Sequence, residues 1–92
     1  MPLRVRIGRQ AVAWLAAHSE LIPAFGESLS RVRADELSLL RWSEPLQAEG
    51  RRHVQRFFRF GENCIGVFEW THVERSIHVH TCRLAEPPNR AA

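Results

Sequence analysis

The amino-acid sequence predicts an α+β fold in the order β-α-α-β-β-β, an antiparallel sheet with two helices on one face. Three observations predict it. Leu3, Val5 and Ile7 alternate with Arg4 and Arg6. A middle section rich in Ala and Leu has helical spacing. Three β-prone runs, 51–60, 64–70 and 76–83, are separated by short turns. With 92 residues, 45% hydrophobic and 25% charged, the chain suits one small globular domain rather than a disordered segment. That domain is expected over residues 1–84, followed by a flexible, proline-bearing tail at 85–92.

The period-two alternation of residues 3–7 marks a half-buried strand, which Gly8 ends. From Arg9 to about Glu20 no Gly or Pro interrupts a run holding Val12, Trp14 and Leu15, so a helix is expected. Pro23 and Gly26 are expected to break the chain before a second helical stretch, from about Glu27 to Arg41. Its buried stripe falls on Leu29, Val32, Leu37 and Leu40. Asp35 can cap a restart there, so one bent helix and two short ones both fit. Residues 42–50 read as a connector punctuated by Pro45 and Gly50. Trp14 and Trp42 are expected in the core.

Alternation also assigns faces to the three strands. In the last, Ile77, Val79 and Thr81 should face the helices, leaving Ser76, His78, His80 and Cys82 on the open side. In the first, Val54, Arg56, Phe58 and Phe60 form the more apolar set, so Gln55, Phe57 and Arg59 are expected open. The middle strand is apolar on both sides. Burying Phe68 and Trp70 removes more area from water, whereas a hairpin centred near residue 73 would set them beside the histidines. Both orientations stay open. The same hairpin would bring Cys64 opposite Cys82; reduced thiols are the expectation.

The formal charge is +3, and all thirteen basic residues are arginine. A base-composition bias is the favoured account of the missing lysines, so the information lies in the cluster at 51–59. Arginine forks grip phosphate bidentately. Arg51, Arg52 and Arg56 are therefore candidate RNA contacts, with Phe57 as a base-stacking platform. For cleavage of a phosphodiester, His78 or His80 suits proton transfer from a ribose 2′-hydroxyl. Arg59, with Arg56 or Arg83, suits stabilisation of the charge on phosphorus. Glu69 counts as a base only with Phe68 and Trp70 turned the other way. A competing reading gathers His78, His80, Cys82 and Cys64 around zinc, but the sequence lacks a paired Cys-x-x-Cys knuckle, so no metal is expected. No apolar run approaches a membrane span and residues 1–6 lack a signal peptide's apolar stretch, so a cytoplasmic protein is expected.

The run Arg59-Phe60-Gly61-Glu62-Asn63, the later Val67-Phe68-Glu69-Trp70, and Glu36–Arg41 with its proline-bearing exit resemble the RelE/ParE superfamily of bacterial toxin–antitoxin toxins, HigB-like in pattern. The resemblance spans about residues 29–83. It implies a RelE/ParE-like fold and a translation-blocking endoribonuclease that needs no cofactor. It also implies mRNA, free or on the ribosome, as target and a cognate antitoxin as partner. Arg59, and more weakly Arg83, carry over as catalytic residues. Two departures stand out. The family's aromatic–arginine pair falls on Cys64-Ile65, and the histidine or tyrosine past the last strand has no counterpart in Leu84-Ala85-Glu86. The missing arginine favours an alternative from another class: a non-catalytic module of the same fold that engages a protein partner. A ParE-like inhibitor of DNA gyrase, or a phage or host regulatory protein, would be of that kind.

Overall fold

The computed structural model describes residues 2–46 and 54–85. Strand β1 (Arg4–Ile7) leads into helix α1 (Arg9–Ala17), a 3-10 turn (Ser19–Leu21), α2 (Ile22–Val32) and α3 (Glu36–Arg41). Then come β2 (Glu44–Pro45), β3 (Val54–Phe60), β4 (Cys64–Thr71) and β5 (Ser76–Leu84). The class is α+β, and the strands form one sheet in the order β1-β5-β4-β3-β2. The sheet is mixed rather than antiparallel, because β1 runs parallel to β5. Alternation along β1 fixes its faces but carries no information about its direction. Among the described residues no helix is long and apolar enough to cross a membrane.

The first division of the helical section falls elsewhere than expected, and the second falls at the Asp35 restart, one of the two forms the sequence allowed. Pro23 sits in the first turn of α2, where a missing N–H costs nothing. Gly26 lies inside the same helix, facing open space. The first break falls instead at His18, whose ring stacks on Trp14 at 3.9 Å and whose Nδ1 lies 2.8 Å from the Trp14 carbonyl oxygen. The second falls at Asp35, whose carboxylate accepts the Ser38 N–H at 2.8 Å, so two short helices form. That cap resets the helical phase. Leu39 is therefore buried, while Leu37 and Leu40 are exposed, contrary to the expected stripe.

Helix α1 packs on β5 and α2 on β3. Leu29 and Val32 join a core built around Phe25, Phe58, Phe60 and Phe68, with Ile77 and Val79 from β5. Phe68 is fully buried and Trp70 packs against the core, which decides the orientation of the middle strand. Gly66 has a packing reason: a Cβ there would come 2.8 Å from Phe58 Cζ, its partner on β3. Trp14 borders the core as expected, but Trp42 remains 48% exposed.

One polar contact crosses this core. Arg56 belongs to the inward set of β3, and its Nε donates to Ser43 Oγ at 2.6 Å while Nη2 donates to the Ser43 carbonyl at 2.9 Å. Ser43 Oγ in turn donates to the Leu39 carbonyl. The chain leaving α3 is thereby clamped under β3, and the Leu46 N–H closes the pairing on the Gln55 carbonyl at 2.8 Å. Replacing Arg56 by alanine should therefore lower stability by about 2 kcal/mol, the scale of buried charge-assisted hydrogen bonds. The same change at exposed Arg59 should cost under ~1 kcal/mol. Urea denaturation of the two variants checks the contrast.

Candidate functional site

Register sets rows of side chains across the face turned away from the helices. Arg59 pairs with Ile65, and Ile65 with Arg83, so two cations flank one aliphatic side chain. The next row is Phe57, Val67 and Thr81. The row after it is Gln55, Glu69, His78 and Arg6. At about 4.8 Å between strands, the Arg59 and Arg83 backbones lie roughly 10 Å apart. Between them opens a cleft of about 430 Å³ lined by Leu46, Phe57, Arg59, Ile65, Arg83 and Leu84. The Arg59 guanidinium lies 5.4 Å from the Phe57 ring centre, and its Nε lies 3.3 Å from Glu44 Oε2.

A β-bulge places Arg83 in that row. Phe68 pairs with Val79 but Val67 pairs with Thr81, leaving His80 without a cross-strand partner. Past the bulge the alternation inverts. Cys82, expected on the open side, is 2% exposed within the core, and Thr81, expected inward, stands opposite Val67 on the open side. Cys64 faces Leu84 rather than Cys82, and both thiols are free. Burial, and to a lesser degree Cys64, pushes the Cys82 thiol up to about 11. His78 and His80 thus lie across the sheet from both cysteines, which divides the zinc set considered above. Among the described residues no three His, Cys, Asp or Glu side chains gather as a metal site.

The two histidine rings lie 4.3 Å apart, and His80 Nε2 is 3.5 Å from Glu69 Oε1. Glu69 therefore joins the imidazoles with Phe68 buried, correcting the expectation that it needed the other orientation. The β4–β5 register centres half a residue beyond 73, which sends Phe68 and Trp70 inward and Glu69 to the histidines. Burial holds the His78 pKa below its ordinary value, helped by His80 and Arg6 and opposed by Glu69. Gly8 permits the close pass of the chain over this ring: a Cβ there would lie 3.1 Å from His78 Nε2 and from the Val79 carbonyl oxygen.

Of the sequence candidates, Arg59, Arg83 and Phe57 share one cleft, and His78 and His80 form a neighbouring station. Three residues of strand, roughly 10 Å, separate His80 from Arg83. Arg56 lies on the helix side, occupied with Ser43, and does not share the open face. Arg51 and Arg52 lie outside the described residues, as do 86–92 of the tail. Glu44 was missed, because a two-residue strand ending in proline reads as connector. Comparisons with protein-family models, curated proteins and solved structures find no significant match for this chain.

His78 should titrate below the ordinary histidine value in an NMR titration, since its surroundings disfavour the imidazolium. The unfolded chain then takes up this proton first as pH falls. The stability it contributes is full above ~6.5 and declines as pH drops through the lowered folded value. Thermal melts across that range should show a shallower acid-side decline in His78→Asn.

Proposed function

We propose that the open sheet face holds single-stranded RNA, and that the chain is a RelE/ParE-type toxin, HigB-like, which blocks translation by cutting mRNA and is neutralised by a cognate antitoxin. The observation that carries this reading is the row Arg59–Ile65–Arg83. The family pattern wants an arginine at position 65; here two arginines bracket that position instead. Their guanidiniums suit a phosphate above an apolar floor, and Phe57 suits a stacked base.

A strand running along β5 would present one phosphate to the arginines and a neighbouring one to the imidazoles. His78, held towards its neutral form, takes the proton from the 2′-hydroxyl. The 2′-oxygen attacks phosphorus, and the bond to the 5′-oxygen breaks. His80, beside Glu69, protonates that leaving oxygen. The products are a 2′,3′-cyclic phosphate and a free 5′-hydroxyl, and the step calls for no cofactor. The spacing between His80 and Arg83 supports a second reading: a non-catalytic module of the same fold whose arginine cleft engages a protein, as a gyrase inhibitor would.

Arg59→Ala and Arg83→Ala should each weaken binding of a single-stranded oligoribonucleotide about tenfold and reduce the salt slope by about 0.7. His78→Ala and His80→Ala should lower cleavage at least ~100-fold with binding retained. Inducing the protein in a bacterium and following RNA cleavage, translation and DNA supercoiling together separates the readings. Altered supercoiling without cleavage transfers the chain to the second, and normal growth with neither change discards both.

A further inference from the structure

Trp42 is the one large aromatic side chain among the described residues that stands about half in solvent, at 48% exposure. Its backbone is nonetheless fixed. It caps α3 through its N–H on the Ser38 carbonyl at 2.8 Å, and the next residue is Ser43, clamped by Arg56. The Arg31 guanidinium carbon lies 5.2 Å from the indole centre. These groups and Arg41 line a second cleft of about 320 Å³. Phe57 and Arg59 line that cleft and the one between Arg59 and Arg83 as well, so the two share a wall.

We infer that this cleft is a second nucleotide subsite, in which Trp42 stacks a base of an RNA strand whose neighbouring phosphate lies between Arg59 and Arg83. The inference rests on the RNA reading of the open face and extends it past the sheet edge. Base–aromatic stacking tolerates any sequence, because every base has a π-face. Arg31 and Arg41 supply cations beside the stacked base, and Arg59 offsets the one acidic group lining the cleft, Glu44. An apolar protein partner would strip water from these arginines without pairing them, an unfavourable exchange. RNA brings its own anions. The subsite makes affinity depend on oligomer length: a short strand fills the arginine row alone, and a longer one reaches the indole.

The test is binding of uridine oligomers of about three nucleotides, shorter than the span one small domain covers, and of about nine, within it, to the full chain and to Trp42→Leu, Trp42→Phe and Arg59→Ala/Arg83→Ala. Urea melts confirm that each variant folds. Trp42→Leu should weaken the longer oligomer about tenfold, leave the shorter one unchanged, and be largely rescued by Trp42→Phe. Equal affinity of Trp42→Leu and the parent for the longer oligomer, with the arginine variants still weakened, overturns the subsite and leaves the RNA reading standing. Unchanged RNA affinity with loss of binding to a co-expressed protein assigns the indole to a protein interface and also overturns it. Failure of either oligomer to bind, or indifference to the arginine variants, removes the RNA reading and the subsite with it.

Discussion

The bulge at His80 is the constraint on which the open face depends. Without that extra residue, the alternation that buries Ile77 and Val79 would turn Arg83 towards the helices and Cys82 to the open side. A lone guanidinium in an apolar core costs several kcal/mol. With the bulge, Cys82 fills core space and Arg83 reaches the surface across Ile65 from Arg59. The same local distortion leaves His80 free of a ladder partner and next to His78 and Glu69. One irregularity therefore arranges both stations of the candidate site.

Position, rather than residue type, sorts the arginines. Arg33 spends two donors on the Leu3 carbonyl, at 3.1 and 2.9 Å, and ties the first strand to the end of α2. Arg56 is buried and clamps the exit of α3 through Ser43. That clamp makes the short β2 possible and so delivers Glu44 to Arg59 and Trp42 to solvent. Arg75, at φ 52 in the β4–β5 turn, joins His72 on the Glu36 carboxylate and ties the hairpin to α3. Arg59 and Arg83 are left on the open face with a cleft between them, and Arg6 stands further along beside His78. A cluster that looks uniform in sequence thus divides into internal clamps and surface cations.

Much of this was legible where a single physical preference acts alone. Period-two patterning identified β1 and β3 to β5, placed Arg59 and Phe57 outward, and turned Ile77 and Val79 inward. Area favoured burying Phe68 and Trp70, and they are the inward residues. What escaped notice depends on tertiary context. The parallel pairing of β1 leaves no mark on its own residues, and β2 is too short for a period and contains a proline. The bulge is a register event between two strands, invisible in either alone, and it reversed the placing of Cys82. The phase of α3 turned on whether Asp35 caps, which moved burial from Leu37 and Leu40 to Leu39. The resemblance to toxin families rested on short runs, and its expectations for activity and partner stand as a proposal.

The central claim is that the bulge brings Arg59 and Arg83 to bear on one phosphate. A double-mutant cycle on binding of a short oligoribonucleotide measures this most directly, using Arg59→Ala, Arg83→Ala and the double variant. Shared contact predicts that the double variant loses less than the sum of the single losses, with a coupling of about 0.5–3 kcal/mol. Strictly additive losses would mean that the two arginines act at separate places, and the account of the row would be wrong.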